Sequence, residues 1–232
     1  MNIDLTHNGS IISVIGRNPR DGSLGIALAS TSMAIGSRCP HIDLGRVAVV
    51  SQGFTNLKVG PLALDLVRGG LSAHEVMEAL RQHDRWLDHR QIGIVTADGR
   101  IEAHTGAMTA APGGHVVGEN VLCLGNGLTR GVGVLDEAVE SFARAVDEPL
   151  PERLLRALER GKAVLGDAFP ITSSSLLVRS TSAESQIDLR VDMSRVPTEE
   201  GGNALADLRF LYEQYRPLLD VYAARSVAPR SF

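Results

Sequence analysis

At 232 residues and 44% hydrophobic content, the chain is long enough to form one large domain with a proper core. A net charge of −4 and a pI near 6.0 exclude the basic face of a nucleic-acid surface, and 4% aromatics leave few platforms for stacking bases or sugars. No apolar run approaches the ~18–20 residues that span a bilayer, and the polar start Met1 to Ser10 lacks a signal-peptide pattern; a soluble cytoplasmic protein is expected, with neither nucleic acid nor membrane as partner.

Two apolar runs, Ile11 to Ile15 and Leu24 to Ala29, flank Asn18-Pro19-Arg20-Asp21-Gly22. Pro19 presets one turn dihedral and Asp21-Gly22 tolerates positive φ, which predicts a β-hairpin. Its second strand runs into Ser30, Thr31 and Ser32. A buried hydroxyl without a partner costs roughly 1–3 kcal/mol, so this cluster must be satisfied or must bind something. A third strand is predicted over Val47 to Gln52, then a helix from Val59 to Val67 stopped by Gly69-Gly70. A second helix opens on a capping box, Ser72 with Glu75, and puts Val76, Met77 and Leu80 on one face.

Gln91 to Thr96 and Arg100 to Thr105 read as a second hairpin around Ala97-Asp98-Gly99. Residues 106–118, rich in Gly, Ala and Pro, read as a loop. A strand from Asn120 to Leu124 leads into Gly125-Asn126-Gly127. Two helices follow, one with Leu135, Ala138, Val139, Phe142 and Val146 in a stripe, the other started by Pro151 and burying Leu154, Leu155 and Leu158. Ser173 to Arg179 and Gln186 to Val191 form the last strands, with Asp188, Arg190 and Asp192 as a charged face. A final helix from about Asn203 to Tyr215 turns Leu205, Leu208, Leu211 and Tyr212 inward, and the chain beyond Pro217 reads as a docked or frayed tail.

Hairpins alternating with helix pairs mean α+β, not a doubly wound parallel sheet, and a four-layer αββα sandwich of two largely antiparallel sheets satisfies the pattern. With no repeat or linker, residues 1–232 are expected to form a single domain: a core of about 11–215, an N-terminal extension 1–10 and a C-terminal tail 217–232. Cys39 and Cys123 stand far apart and are expected as reduced, buried thiols. The histidines are dispersed without ligand spacing, so neither metal nor cofactor is expected.

Six segments in order resemble a bacterial domain-of-unknown-function family, number 1028, of the N-terminal-nucleophile (Ntn) hydrolase superfamily. They are Ser13 to Gly36, Ser51 to Gly60 with Gln52 and Asn56, His89 to Gly106 with Arg90-Gln91 and Thr105-Gly106, Gly114-His115, Gly125-Asn126, and Asp188 to Asp192. The resemblance spans roughly residues 11–215 and implies the Ntn type of sandwich. It also implies hydrolysis of a small amide or lactam-type C–N bond with water as acceptor. Typical members begin their first strand with a Thr that Met removal exposes, its own α-amine serving as base; an α-amine pKa of about 7.7–8.0 suits that role.

This sequence departs from that pattern. Ile11 stands at the nucleophile's position, behind about ten extra residues. Pro112-Gly113 replaces an aromatic residue ahead of Gly-His, Leu124 replaces a Gln, and Ala168 to Thr172 replace basic and Gln residues. Three routes stay open: cleavage between Gly9 and Ser10 to expose Ser10; an internal hydroxyl (Ser13, Ser30 or Ser32) with His41 or His115 as base; or a fold kept without the ancestral nucleophile, as a non-catalytic ligand-binding or oligomeric scaffold.

Ser10, Ser30 and His115 are therefore the catalytic candidates, and Ser32, Gln52, Asn56, Thr105 and Asn126 the substrate-binding ones. Each also has a structural reading, Asn56 as a turn former and Thr105 as a strand end. Ser30, Gln52, His115 and Asn126 are expected to share one cleft between the sheets. Self-association is expected from the charge-poor stretch Val116 to Val134, with Val121, Leu122, Leu124 and Leu128, and from Phe210, Tyr212, Tyr215 and Tyr222.

Overall fold

A computed structural model describes residues 9–180 and 186–229. The expected N-terminal extension 1–10 therefore lies, for residues 1–8, outside the described residues. The predicted first hairpin is present as β1 (Ile11–Arg17) and β2 (Leu24–Ser30), paired in register from Ile11 opposite Ser30 to Arg17 opposite Leu24. There follow β3 (Pro40–Asp43), β4 (Val47–Gly53), α1 (Val59–Arg68), α2 (Ala73–His83), β5 (Arg90–Thr96) and β6 (Ile101–Thr105). The second half holds β7 (Gly114–Gly118), β8 (Val121–Asn126), α3 (Gly133–Arg144), α4 (Leu150–Leu165), β9 (Ser173–Arg179), β10 (Ile187–Val191), α5 (Ala204–Tyr215) and α6 (Leu219–Val227).

Two antiparallel sheets carry the fold, a six-stranded one in the order β10-β9-β2-β1-β8-β7 and a four-stranded one in the order β3-β4-β5-β6. Strand alternation sorts the apolar side chains into three layers. Ile12, Val14, Ala27, Ala29 and Cys123 meet α3, α4 and α5 on the outer face of the larger sheet. Ile11, Ile15, Leu24, Ile26, Leu28, Leu122 and Leu124 meet Ala48, Val50 and Val95 between the sheets. Val47, Val49, Ile92 and Ile94 meet Val76, Met77 and Leu80 under α1 and α2. The protein is thus an α+β sandwich, with helices covering the outer face of each sheet.

Two glycines set how closely these layers approach. A Cβ on Gly93 would lie 2.8 Å from each of Ile15, Leu122 and Leu124, so β5 sits against the larger sheet without a side chain there. A Cβ on Gly161 would lie 2.4 Å from Ile12 Cδ1, which is how α4 beds onto β1. The Ser72–Glu75 capping box forms as predicted and starts α2. Asn203 caps α5 through its side-chain oxygen.

Several expectations need correction. Residues 114–118 are a strand, not loop: the Gly-rich sequence hid β7, which pairs with β8 from Gly114 opposite Gly125. The short strand β3 was not anticipated, and the chain beyond Pro217 forms α6 instead of a tail. Val146 lies past the end of α3 and is exposed. Leu211 is 38% exposed, because α5 rests on β9 and β10 through Ala204, Leu205, Leu208 and Tyr212. Val121, Leu122, Leu124 and Leu128 are fully buried within the subunit and offer no interface.

Candidate functional site

At one end of the sandwich, the inward-facing positions of six strands change from apolar to polar. On β1 it is Ser13, on β2 Ser30, on β4 Gln52, on β5 Gln91, on β6 Thr105 and on β8 Asn126. Register does the assembly. Gln52 lies opposite Gln91 and Gln91 opposite Thr105, one rung across the smaller sheet. Ile11 lies between Ser30 and Asn126 across the larger one.

These side chains form a continuous hydrogen-bonded network. The Ser13 hydroxyl donates to Gln52 Oε1. Gln52 Nε2 donates to Gln91 Oε1 at 2.9 Å, and Asn126 Nδ2 donates to the same oxygen at 2.8 Å. Gln91 Nε2 faces three acceptors: the carbonyls of Gly125 (2.8 Å) and Gly114 (3.0 Å) and Thr105 Oγ1 (3.2 Å). Thr105 Oγ1 lies 2.9 Å from His115 Nδ1 on β7, so the network crosses from one sheet to the other and ends on an exposed imidazole. Ser13, Gln52, Gln91 and Asn126 are fully buried, which makes the pairing obligatory.

The direction of the Thr105–His115 contact is set by the imidazole tautomer. Gln91 Nε2 has two hydrogens for its three acceptors, and the Gly125 and Gly114 carbonyls are nearer than Thr105 Oγ1, so the Thr105 hydroxyl can turn its own proton to His115 Nδ1. That requires a neutral imidazole carrying its hydrogen on Nε2. Burial pushes the His115 pKa below the ordinary histidine value, and the neighbouring His104 pushes the same way. With the imidazole neutral and protonated on Nε2, the contact is a hydroxyl donating to a base.

The structure thus brings Gln52, Thr105, His115 and Asn126 together with Ser13, one of the three internal hydroxyls left open, and it adds Gln91. Gln91 was not among the expected site residues, although its place one strand across from Gln52, with inward parity shared by Val95, was readable. The other expected residues take different positions. Ser30 Oγ donates to the Ser10 carbonyl at 2.7 Å and accepts from the Ser32 N–H at 3.0 Å, so the Ser30 hydroxyl that closes β2 is satisfied internally. Ser10 extends β1, its N–H donating to Thr31 Oγ1 at 2.9 Å, and its hydroxyl lies against Gly127, where a Cβ would come within 2.2 Å. Ser32 gives its carbonyl to the Ser173 hydroxyl at 2.6 Å. The His115 ring therefore meets Thr105, not Ser10 or Ser30.

Asn56 belongs to a separate group. It donates to Asp84 Oδ2 at 2.9 Å, beside the Arg90–Asp84 ion pair. Burial alone would raise the Asp84 pKa, but bonds from Asn56, the Trp86 N–H and Arg90 outweigh it and hold the carboxyl below its usual range. His41 sits on β3 under α1, away from this network, its ring face against Gly60. Cys39 lies in the inter-sheet core with its sulfur 3.6 Å from Thr55 Oγ1, and burial raises its pKa, as it does that of Cys123. Both are free thiols. Among the described residues, no three His, Cys, Asp or Glu gather where they could hold a metal ion.

Ile11, only 4% exposed, packs in the inter-sheet core beside this network. Five cavities of about 230 to 600 Å³ among the described residues have no member of the network in their walls. No helix among the described residues is long and apolar enough to cross a membrane.

A model described as "Family of unknown function (DUF1028)" matches residues 12–201. No curated protein matches the chain. Among 31 chains of solved structures that do match is protein SPO2555 from Silicibacter pomeroyi, itself assigned to that family model. It is 25% identical, with a TM-score of 0.79 over 89% of this chain and 86% of that one. Anbu (ancestral beta-subunit) from Yersinia bercovieri is 12% identical, with a TM-score of 0.40 over 91% of this chain and 96% of that one.

Proposed function

Because the chain belongs to the DUF1028 family, we propose that it is an Ntn-hydrolase-like sandwich that hydrolyses a small amide or lactam-type C–N bond, with Thr105 as nucleophile and His115 as its base. The observation that carries this is the 2.9 Å contact between Thr105 Oγ1 and His115 Nδ1, with Gln91 placed behind the hydroxyl. Thr105 Oγ attacks the substrate carbonyl as its proton passes to His115 Nδ1. His115 then delivers that proton to the leaving nitrogen, the C–N bond breaks and an acyl ester remains on Thr105. Water, deprotonated by the same imidazole, cleaves the ester and restores the hydroxyl. A base held neutral by burial works at neutral pH, and the exposed ring lets substrate reach the pair.

One observation favours the other reading, a ligand-binding or oligomeric scaffold: Ile11 fills the place where the family resemblance expects a nucleophile. A homodimer or higher oligomer is compatible with both readings and is supported by Phe210 at 60% and Tyr222 at 46% exposure near the C-terminal end. A cytoplasmic site of action is supported by the two free thiols.

The test is turnover of an N-acyl-4-nitroanilide together with labelling by a β-lactone, read by intact mass and peptide mapping. One adduct per chain on Thr105 is expected, and His115→Gln should lower kcat by roughly 10²- to 10⁴-fold, the usual worth of a general base. An adduct on Ser10 in a chain lighter by nine residues would sink the Thr105 assignment. Neither turnover nor adduct in a correctly folded protein would leave the scaffold.

A further inference from the structure

The two sheets end in four edge strands, and the sequence treats them differently. β10 carries Asp188 and Arg190 on its inter-sheet side, Arg190 in the cross-strand row of Ser175 and Leu28, and inward-pointing charges deter the addition of a further strand. β3 is four residues long and opens on Pro40. The other two edges, β6 and β7, lie together on the opposite side of the sandwich and have neither device. Their inter-sheet positions are Ile101, Ala103 and Thr105 on β6, and His115 and Val117 on β7, with no carboxylate, lysine or arginine among them. Among the described residues, no strand pairs with the outer side of either edge.

Register leaves the backbone of this side open. The Gly106 N–H donates to the Arg90 carbonyl and the Thr96 N–H to the Arg100 carbonyl, each at 2.9 Å. With Gln91 opposite Thr105, that pattern turns the N–H and C=O groups of Ile101, Ala103 and Thr105 away from β5. They offer an incoming strand three donors and three acceptors over roughly 13 Å, at ~3.3 Å per residue. Thr105 is the last of the three, so a carbonyl that accepts from its N–H lies beside its hydroxyl. An added strand would turn one set of side chains inward, past His115 and the half-exposed Val117. The alternate set would lie beside Glu102 and His104, which meet His74 at 3.4 Å and Arg81 at 3.5 Å on α2. Alternating apolar and polar side chains fit that surface.

We propose that an extended peptide adds to the free edge of β6 as a fifth strand and is the substrate of the Thr105–His115 pair. This rests on the hydrolase reading above and narrows its amide to a peptide bond. The peptide runs antiparallel to β6, and the residues C-terminal to the scissile bond pair with Ala103 and Ile101. At Thr105 the hydroxyl oxygen forms the acyl ester, the peptide C–N bond breaks, and the leaving amine takes the proton that His115 removed.

The experiment is fluorescence anisotropy of the full chain with a labelled, acetylated pentapeptide in which three valines alternate with two serines, repeated with one backbone nitrogen methylated at a time. Saturable binding is expected. Methylation at a valine, whose N–H faces β6, should weaken it at least tenfold, and methylation at a serine less than twofold. Ala103→Pro removes an edge N–H that β5 does not use, so it should weaken binding at least tenfold while the protein stays folded. Equal sensitivity at every position, or no saturable binding at millimolar peptide, overturns the proposal. So does a dimer that Ala103→Pro converts to monomer, because a second copy then occupies the edge. The two readings fail separately. A β-lactone adduct on Thr105 in a chain that binds no peptide removes the added strand and keeps the nucleophile. Binding with the alternating pattern but without cleavage keeps the added strand and removes the nucleophile.

Discussion

Gln91 is the node on which the two sheets are joined by side chains, and replacing it with Met tests that role at nearly constant volume. The change removes the acceptor of Gln52 Nε2 and Asn126 Nδ2, which bond to it at 2.9 and 2.8 Å, and the donor to the Gly125 carbonyl at 2.8 Å. Gln52 and Asn126 are fully buried, so water cannot replace the lost bonds. Each orphaned buried group costs roughly 1–3 kcal/mol, but the three share one partner and relax together, so their costs do not simply add. A loss of about 4 kcal/mol is expected, a large part of the ~5–15 kcal/mol that holds a typical domain folded. At ~2–4 °C per kcal/mol for a chain of this size, the melting temperature should fall by roughly 8–16 °C. Urea unfolding at pH 7.5, followed by far-UV circular dichroism, gives the midpoint and slope. The double variant Gln52→Met with Gln91→Met should lose less than the sum of the single ones, because the buried donor goes with its acceptor. A Gln91→Met protein within about 1 kcal/mol of the parent would refute the claim that this buried pairing is obligatory.

Three further outcomes are expected. Burial lowers the pKa of His41, His104 and His115, so below the ordinary value of about 6.5 the unfolded chain binds more protons than the folded one; the urea midpoint should fall from pH 7.5 to pH 5.5, and a rise would contradict the assignment. Gly93→Ala would push a methyl to 2.8 Å from Ile15, Leu122 and Leu124 and should cost about 1–3 kcal/mol by overpacking, seen as a lower melting temperature with an unchanged unfolding slope. Ser72→Ala removes one half of the capping box on α2 and should cost about 1 kcal/mol in the same assay, while Ser37→Ala, on an exposed hydroxyl bonded only to the Ala34 carbonyl, should change little.

Much of the fold was legible because its signals are local. Alternation in Ile11 to Ile15 and Leu24 to Ala29, the Asp-Gly turns and the Ser72–Glu75 cap each act within a few residues, and each specifies an element whatever surrounds it. The same parity carried part of the site, since Ser30, Gln52, Thr105 and Asn126 could be placed at strand ends. What could not be read was which strand end meets which. His115 sits in a Gly-rich stretch with little β propensity, and only pairing with β8 makes it a strand and turns the ring toward Thr105. Gln91 looks like one polar residue at the start of an apolar run until register sets it between Gln52 and Thr105.

The amino-acid sequence by itself determined the α+β class, the two hairpins, most helix limits and the polar character of the strand ends, because hydrophobic period and turn chemistry are properties of neighbouring residues. Only the tertiary structure decided that the hydroxyl facing His115 is Thr105, that the Ser30 hydroxyl donates to the Ser10 carbonyl at the start of β1, and that His41 and Ser175 line one cavity. Those partners lie 10 to 134 residues apart along the chain and meet through sheet register and the stacking of two sheets. Register is set by the sum of many backbone pairings and buried contacts, and no single segment carries that sum.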